Sequence, residues 1–321
     1  MSILIIAPKF YNYHKEIRDE LLKYHQYVVL FNEIPFVSIG LFIKICSITP
    51  FISNLLWKYY AKRLKTVIHK KHIDTVFIIR GYFIPSFILD ILKQDYPHIR
   101  IVYYQWDSVK NNPNSLSVSK YASKSFTFDF EDSISYSDIF TYLPLYYNWK
   151  RDGNEEFCIS TDILVVASWS KYRSEYVKTI KERYQNLNLR WTVFFYMPIM
   201  TYFKWLIKGQ YHIIKEANYI PISKNRYYHL LQHSKAVLDI PSPSQSGASI
   251  RVIEALSLQK KIITTNKNLS QAIIGAESPN ILFYEEIGLL EDFLSAPFVI
   301  EDNISETVMS LNEWLNKIGL L

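Results

Sequence analysis

The chain has 321 residues, 49% of them hydrophobic and 21% charged. That is enough apolar material for a sizeable core, and more length than one average domain of roughly 100 to 200 residues. A net charge of +6 suits anionic ligands, but the basic residues are scattered without any nucleic-acid-binding signature, and no low-complexity tract leaves room for extended disorder.

In the first half, short apolar runs read as strands: ILIIAP (3–8), YVVLF (27–31), TVFIIRG (75–81), RIVYYQWD (100–107) and SFTFD (125–129). Helical patterns at 14–24 and 85–94 lie between them, with Ile17 and Leu21, then Phe87, Ile88, Ile91 and Leu92, on one face. Continuous apolar strands alternating with helices predict a parallel sheet covered on both faces. The apolar stretch 34–65 is interrupted by Lys44 and Pro50, and a second at 191–209 by Pro198 and Lys204, so neither offers about 20 uninterrupted apolar residues for a span. The first ends in Trp57, Lys58, Tyr59, Tyr60, Lys62, Arg63 and Lys65. It reads either as an amphipathic helix pair with a solvated basic face or as a segment lying on a membrane surface. Cys46 and Cys158 match no metal-ligand spacing and no basic region precedes the first strand, so the expected location is the reducing cytoplasm, with room for peripheral contact at the inner face of the membrane.

A proline and a polar run within 140–157 break the rhythm, which places a first Rossmann-like domain at 1–150. It restarts with DILVVASWS (162–170), a helix near 171–186, LRWTVFFY (189–196), NYIPIS (218–223), a helix capped by Ser223, KAVLDIP (235–241) and KKIITTN (260–266). This predicts a second Rossmann-like domain at 151–303. A last helix over roughly 304–317, with Val308, Leu311 and Trp314 as its apolar stripe, is expected to pack back on the first domain.

Ligands of open α/β sheets bind beyond the carboxyl ends of the strands. Polar residues that follow strands are therefore the candidates: Asn12, His14, Arg80, Asp107, Asp129 to Asp132, Ser168, Ser170 and Arg173. The sequence PSPSQSGASIRVIEALSLQKKIITTN (241–266) is the richest. A helix starting near Ala248 or Ser249 would aim unpaired N–H groups at a diphosphate, with Ser246, Gly247 and Ser249 leaving it room and Arg251 supplying charge. Glu254 lies roughly 7.5 Å further along the helix, about the span from a diphosphate to its ribose. The other reading is a plain amphipathic helix with Ile250, Ile253 and Leu256 buried and an Arg251–Glu254 surface pair. Tyr227 is placed to stack on a base. Asp129-Phe130-Glu131 imitates a metal-binding D-x-D, but also reads as an acid-rich helix start favoured by the helix dipole.

The order strand, P-S-x-x-x-G, helix with I-E-A-L, then K-K-I-I-T-T-N resembles the donor-binding segment of GT-B glycosyltransferases. More narrowly, the chain is similar to the glycosyltransferase-group-1-like proteins of bacterial capsule and lipopolysaccharide clusters. IIAPKFYNYHKEI, FIIRGYFIP, YYQWDSVKN, FTFDFEDS and YLPLYY extend the resemblance over residues 1–270. It implies an α/β chain of two Rossmann-like domains facing a central cleft. It also implies a nucleotide-sugar donor, a glycan or lipid-linked acceptor of a surface polysaccharide, and no metal or other cofactor. In many retaining members two glutamates flank seven residues; the second matches Glu254, while the first falls on Ser246, so no stereochemistry is implied. For an inverting reaction Asp107 is the first choice of base and His14 the second, with Arg80 and Asn12 facing acceptor or phosphate. An epimerase or hydrolase acting on sugar nucleotides, and a non-catalytic glycan- or nucleotide-binding partner, are the alternatives.

Overall fold

The computed structural model describes residues 1–9, 12–35, 50–149, 158–273 and 277–321. Lys44, Cys46 and the polar run 150–157 lie outside the described residues. The chain divides into two compact units. The first is Met1–Asn148 with Ser244–Gly247 and Ser310–Leu321; the second is Trp149–Pro243 with Ala248–Met309.

Unit 1 runs β1 (Ser2–Ala7), α1 (Tyr13–Leu21), β2 (Tyr27–Asn32), α2 (Pro50–Lys71), β3 (Thr75–Ile79), α3 (Ser86–Gln94) and β4 (Arg100–Gln105). It continues with α4 (Ser115–Ser119), β5 (Lys124–Thr127), α5 (Phe130–Ser135), β6 (Thr141–Tyr142) and β7 (Tyr146–Tyr147). Its six-stranded sheet has the order β2-β1-β3-β4-β5-β6, with every pair parallel. All of β1 and β3 is buried, as strands covered on both faces must be. Ile88, Leu89 and Leu92 of α3 and Leu64 and Ile68 of α2 pack with Leu4, Ile6, Val76 and Ile78 in one apolar cluster. Each fully buried side chain of this size contributes about 1.5–3 kcal/mol.

Unit 2 runs β8 (Thr161–Ser168), α6 (Lys171–Arg183), β9 (Trp191–Tyr196), α7 (Ile199–Ile207), α8 (Tyr211–Glu216), β10 (Ala217–Asn218) and α9 (Lys224–Gln232). There follow β11 (Ser234–Asp239), α10 (Ile250–Ser257), β12 (Lys261–Thr264), α11 (Leu269–Ile273), β13 (Ile281–Phe283), α12 (Leu290–Ser295) and α13 (Asp302–Thr307). The sheet order is β10-β9-β8-β11-β12-β13, again parallel throughout. Ile163 and Val165 of β8, Leu238 of β11 and Ile263 of β12 form its core with Val177 and Ile180 of α6.

The single C-terminal helix expected over 304–317 is instead two. After α13 the backbone opens at Val308 (φ −84, ψ 89), and a new helix, α14 (Leu311–Ile318), begins behind Ser310. Ser310 and Glu313 cap each other reciprocally, which satisfies two otherwise orphan donors and makes Ser310 a stop and restart rather than a mid-helix residue. Trp314 of α14 is fully buried in unit 1. Its ring centroid lies 4.7 Å from that of Tyr146, 4.8 Å from Tyr104 and 6.1 Å from Phe77. Among the described residues, no helix is long and apolar enough to cross a membrane.

Candidate functional site

Each sheet reverses its winding once. In unit 2 the chain moves outward from β8 through β9 to β10, then returns to the other flank of β8 with β11 and continues through β12 to β13. The loops after β8 and β11 therefore diverge and leave a crevice at their carboxyl ends, the usual ligand position in such sheets. Ser168 ends β8 and Ser170 and Arg173 follow it, while Asp239 ends β11 and Ser249 and Arg251 follow it.

Ser170 caps α6 by accepting from the Arg173 amide at 3.2 Å. The Arg173 guanidinium folds back over the strand ends, with Nε donating to the Ile240 carbonyl at 2.7 Å and Nη1 to the Ser168 carbonyl at 3.0 Å. Burial, and next the nearby Arg251 charge, push the Arg173 pKa down, while Asp239 opposes the shift. Two cations thus share one carboxylate. Asp239 is 2% exposed; its Oδ1 accepts from Ser249 Oγ at 2.8 Å and lies 3.7 Å from Arg251 Nη2, while its Oδ2 is buried with no hydrogen-bond partner among the described residues.

Ser249 occupies the N-cap of α10, but its hydroxyl is turned to Asp239 and makes no cap bond to the helix. The first-turn amides of an eight-residue helix at the sheet's switch point therefore have no side-chain cap, and Arg251 lies in that same turn. This arrangement is chemically competent to hold an anion. Arg251 is paired with Asp239, not with Glu254 as a plain amphipathic helix would have it. Glu254 is 2% exposed and Tyr227 is 8% exposed, so both side chains lie in the interior rather than on an open face.

The structure separates two residues from this group. Ser246 and Gly247 belong to unit 1, where Ser246 donates from N and Oγ to the Asp129 carboxylate at 2.8 and 2.6 Å and accepts from the Glu131 amide at 2.8 Å. A Cβ on Gly247 would stand 1.9 Å from the Phe128 carbonyl oxygen. The expectation that these small residues admit a ligand is thus corrected: the space they leave is filled by the α5 end of unit 1. Asp129, 2% exposed, also accepts from the Asp132 amide as the N-cap of α5. The D-x-D imitation is accordingly an acid-rich helix start.

In unit 1 the switch point lies between β1 and β3. Asn12 and His14 follow β1. Asn12 adopts φ 67 and opens α1 through its carbonyl, which accepts from Lys15 and Glu16 amides, while its side chain makes no cap bond. His14 is half-buried, with Nδ1 lacking any hydrogen-bond partner among the described residues. Burial first, then Lys15, Lys9 and Arg18, hold its pKa below the ordinary imidazole range, so the ring is neutral near pH 7 and able to accept a proton.

Arg80 follows β3 in the left-handed region (φ 68) and makes a two-pronged ion pair with Glu33, whose side chain is fully buried. Its expected role as a cation facing ligand is corrected to that of a neutralised partner. Asp107, after β4, is also engaged: its Oδ1 accepts from the Ser108 amide (2.9 Å), Asn111 Nδ2 (2.9 Å) and Gln245 Nε2 (3.1 Å). It closes the turn after the strand.

Sequence reasoning missed Asp239 and Glu33 as organising carboxylates, and read Asp129 as a helix start without its tie to Ser246. The rule that singled out Asp107, a charge ending a buried strand, applies equally to Asp239 in KAVLD.

No protein-family model and no curated protein matches the chain. Solved structures do. The lipopolysaccharide outer core galactosyltransferase WaaB in its apo form is 11% identical, with a TM-score of 0.61 over 99% of both chains. The UDP-GlcNAc 2-epimerase from Neisseria meningitidis, bound to UDP-GlcNAc, is 12% identical, with a TM-score of 0.56 over 99% of this chain and 98% of that one. The UDP-GlcNAc 2-epimerase from Methanocaldococcus jannaschii is 12% identical, with a TM-score of 0.53 over 100% and 99%. At such identity the likeness is one of fold: two Rossmann-like domains of the GT-B type.

Proposed function

We propose that the protein is a nucleotide-sugar-dependent glycosyltransferase, which moves a sugar from its donor to a surface glycan or a lipid-linked precursor of one. The observation that carries this reading is the first turn of α10 in unit 2. The Ser249 hydroxyl gives it no cap, Arg251 lies in it, and it stands at the switch point of the sheet. Negative charge that develops on a nucleoside diphosphate leaving group is what such donors stabilise. Asp239 holds Arg251 in place, and helix amides with an arginine serve the leaving group without a metal ion. His14 of unit 1 is the residue assigned to deprotonate an acceptor hydroxyl, because it follows the first strand and its ring is neutral at working pH. The working place that fits these substrates is the cytoplasm, at the periphery of the cytoplasmic membrane.

The test is calorimetry of the whole chain with UDP, dTDP and their sugars. Arg251→Gln is expected to weaken nucleoside-diphosphate binding by about 10- to 100-fold, the worth of one charge-assisted contact, with turnover insensitive to chelators; buried Asp239 loses a cation in this variant, so its Tm falls as well and affinity is compared below the variant's own unfolding. Unaltered affinity overturns the assignment. Glu254→Ala distinguishes the ribose role implied by resemblance from a core role: a loss of affinity at unchanged stability supports the first, the converse the second.

A second reading is favoured by the likeness of fold to the two UDP-GlcNAc 2-epimerases over nearly the whole chain. An epimerase or hydrolase turns over donor with no acceptor present, so donor consumption in the absence of any acceptor selects it.

A further inference from the structure

Away from both switch points, α2 and α3 of unit 1 enclose an open groove of about 620 Å³. Asn54, Lys58, Lys62 and Lys65 of α2 line one wall, and Phe87 and Ile91 of α3 the other. Along α2, Phe51, Leu55, Lys58, Lys62 and Lys65 recur at helical spacing and share one face, apolar toward the helix start and cationic toward its end. Phe51 is 78% exposed, Leu55 58% and Tyr59 61%, which is unusual for large apolar side chains lying together.

The charge is one-sided. No acidic residue occurs between Glu33 and Asp74, a stretch that carries seven lysines and arginines. Of the acids in α3 or just after it, Asp95 pairs with Lys65 at 2.6 Å and Asp90 accepts from Tyr121. Lys58 and Lys62 are exposed and make no ion pair among the described residues. A lysine pair over an aromatic and aliphatic wall, continued by exposed apolar side chains, matches a molecule with an anionic head and a hydrocarbon tail. A second copy of this face is disfavoured, since it would set lysines against lysines.

We propose that this groove seats the phosphate headgroup of an anionic membrane lipid, with Lys58 and Lys62 on the phosphate and Phe87 and Ile91 against the first carbons of its chains. The proposal rests on the reading of a membrane-peripheral protein, but not on the chemistry of the sugar site.

The experiment is cosedimentation of the full chain with vesicles of phosphatidylcholine alone and of phosphatidylcholine mixed with phosphatidylglycerol. The expected result is binding to the mixed vesicles only. A basic residue near an anionic surface is worth about fivefold, so Lys58→Gln/Lys62→Gln weakens binding by about 30-fold. Lys70→Gln/Lys71→Gln removes the same charge from the far end of α2 and is expected to cost less than about threefold. Equal losses in the two variants overturn the groove in favour of diffuse attraction. Binding to neutral vesicles, or to none, overturns the lipid. Saturable binding of inorganic phosphate or glycerol phosphate by a chain that binds no vesicle assigns a soluble phosphate ligand instead, and self-association abolished by the groove variant assigns a second copy. Loss of vesicle binding with intact nucleotide binding refutes this site alone; the reverse refutes the sugar-site reading alone.

Discussion

Replacing Arg80 with alanine leaves the Glu33 carboxylate alone in the interior. That side chain is fully buried, and Arg80 meets it through both Nε, at 3.2 Å, and Nη2. An uncompensated buried charge costs about 3–5 kcal/mol, because attraction to its partner is lost while desolvation remains. The left-handed backbone at residue 80 adds nothing to the difference, since alanine and arginine tolerate φ 68 equally poorly. At roughly 2–4 °C per kcal/mol for a unit of this size, the expected fall in Tm is on the order of 10 °C. Arg80→Met/Glu33→Leu removes both charges and recovers most of the loss. Calorimetric unfolding from acid to neutral pH measures all three. A Tm within about 2 °C of the parent, together with weakened binding of a phosphate ligand, would falsify the structural assignment and return Arg80 to the substrate.

Gly247→Ala drives a Cβ to within 1.9 Å of the Phe128 carbonyl, where no flexible side chain can yield. Destabilisation toward the upper end of about 1–3 kcal/mol is expected, together with faster hydrogen exchange at the Glu131 amide; unchanged stability with weaker nucleotide binding would restore the ligand reading. Burial, the largest influence, raises Asp132 to about 6, with Asp129, Glu131 and Asp107 adding to the rise and the hydrogen bond from the Val109 amide opposing it. Folding therefore favours the protonated acid. This contribution is present below the unfolded value of about 3.9 and is lost as pH rises through about 6, and Asp132→Asn should flatten stability across that window; an identical pH profile in the variant contradicts the assignment. His14→Gln is expected to lower transfer by at least about 100-fold with donor affinity intact, whereas Asp107→Asn retains most activity. The parent's acid limb should fall below the usual imidazole range because His14 titrates low; a fully active His14→Gln enzyme moves the base elsewhere.

The strands were legible because parallel sheets buried on both faces demand continuous apolar runs, and ILIIAP, TVFII and DILVVA are such runs. The start of α10 was legible too, since small polar residues ahead of an apolar helical period mark a helix N-terminus. The break at Val308 was not, although Ser310 and Glu313 form a capping box in the sequence, because the apolar stripe of Val308, Leu311 and Trp314 runs straight across it. The roles of Ser246 and Gly247 were read from their neighbours in the chain, while their actual partners, Asp129 and Phe128, stand more than a hundred residues away.

By itself, then, the sequence determined the class of fold, two parallel α/β units, and the rim on which polar residues gather. Local periodicity and strand composition carry that information and need no knowledge of distant contacts. The tertiary structure decided which of those polar residues are spent and which are spare. Arg80 is neutralised by Glu33, Asp107 closes a turn and Ser246 is tied to Asp129, while the first turn of α10, with no side-chain cap and with Arg251 held beside it by Asp239, stands at the switch point. A polar side chain's availability depends on whether folding brings it a partner, and pairings across 47, 117 or more residues leave no periodic trace in the chain.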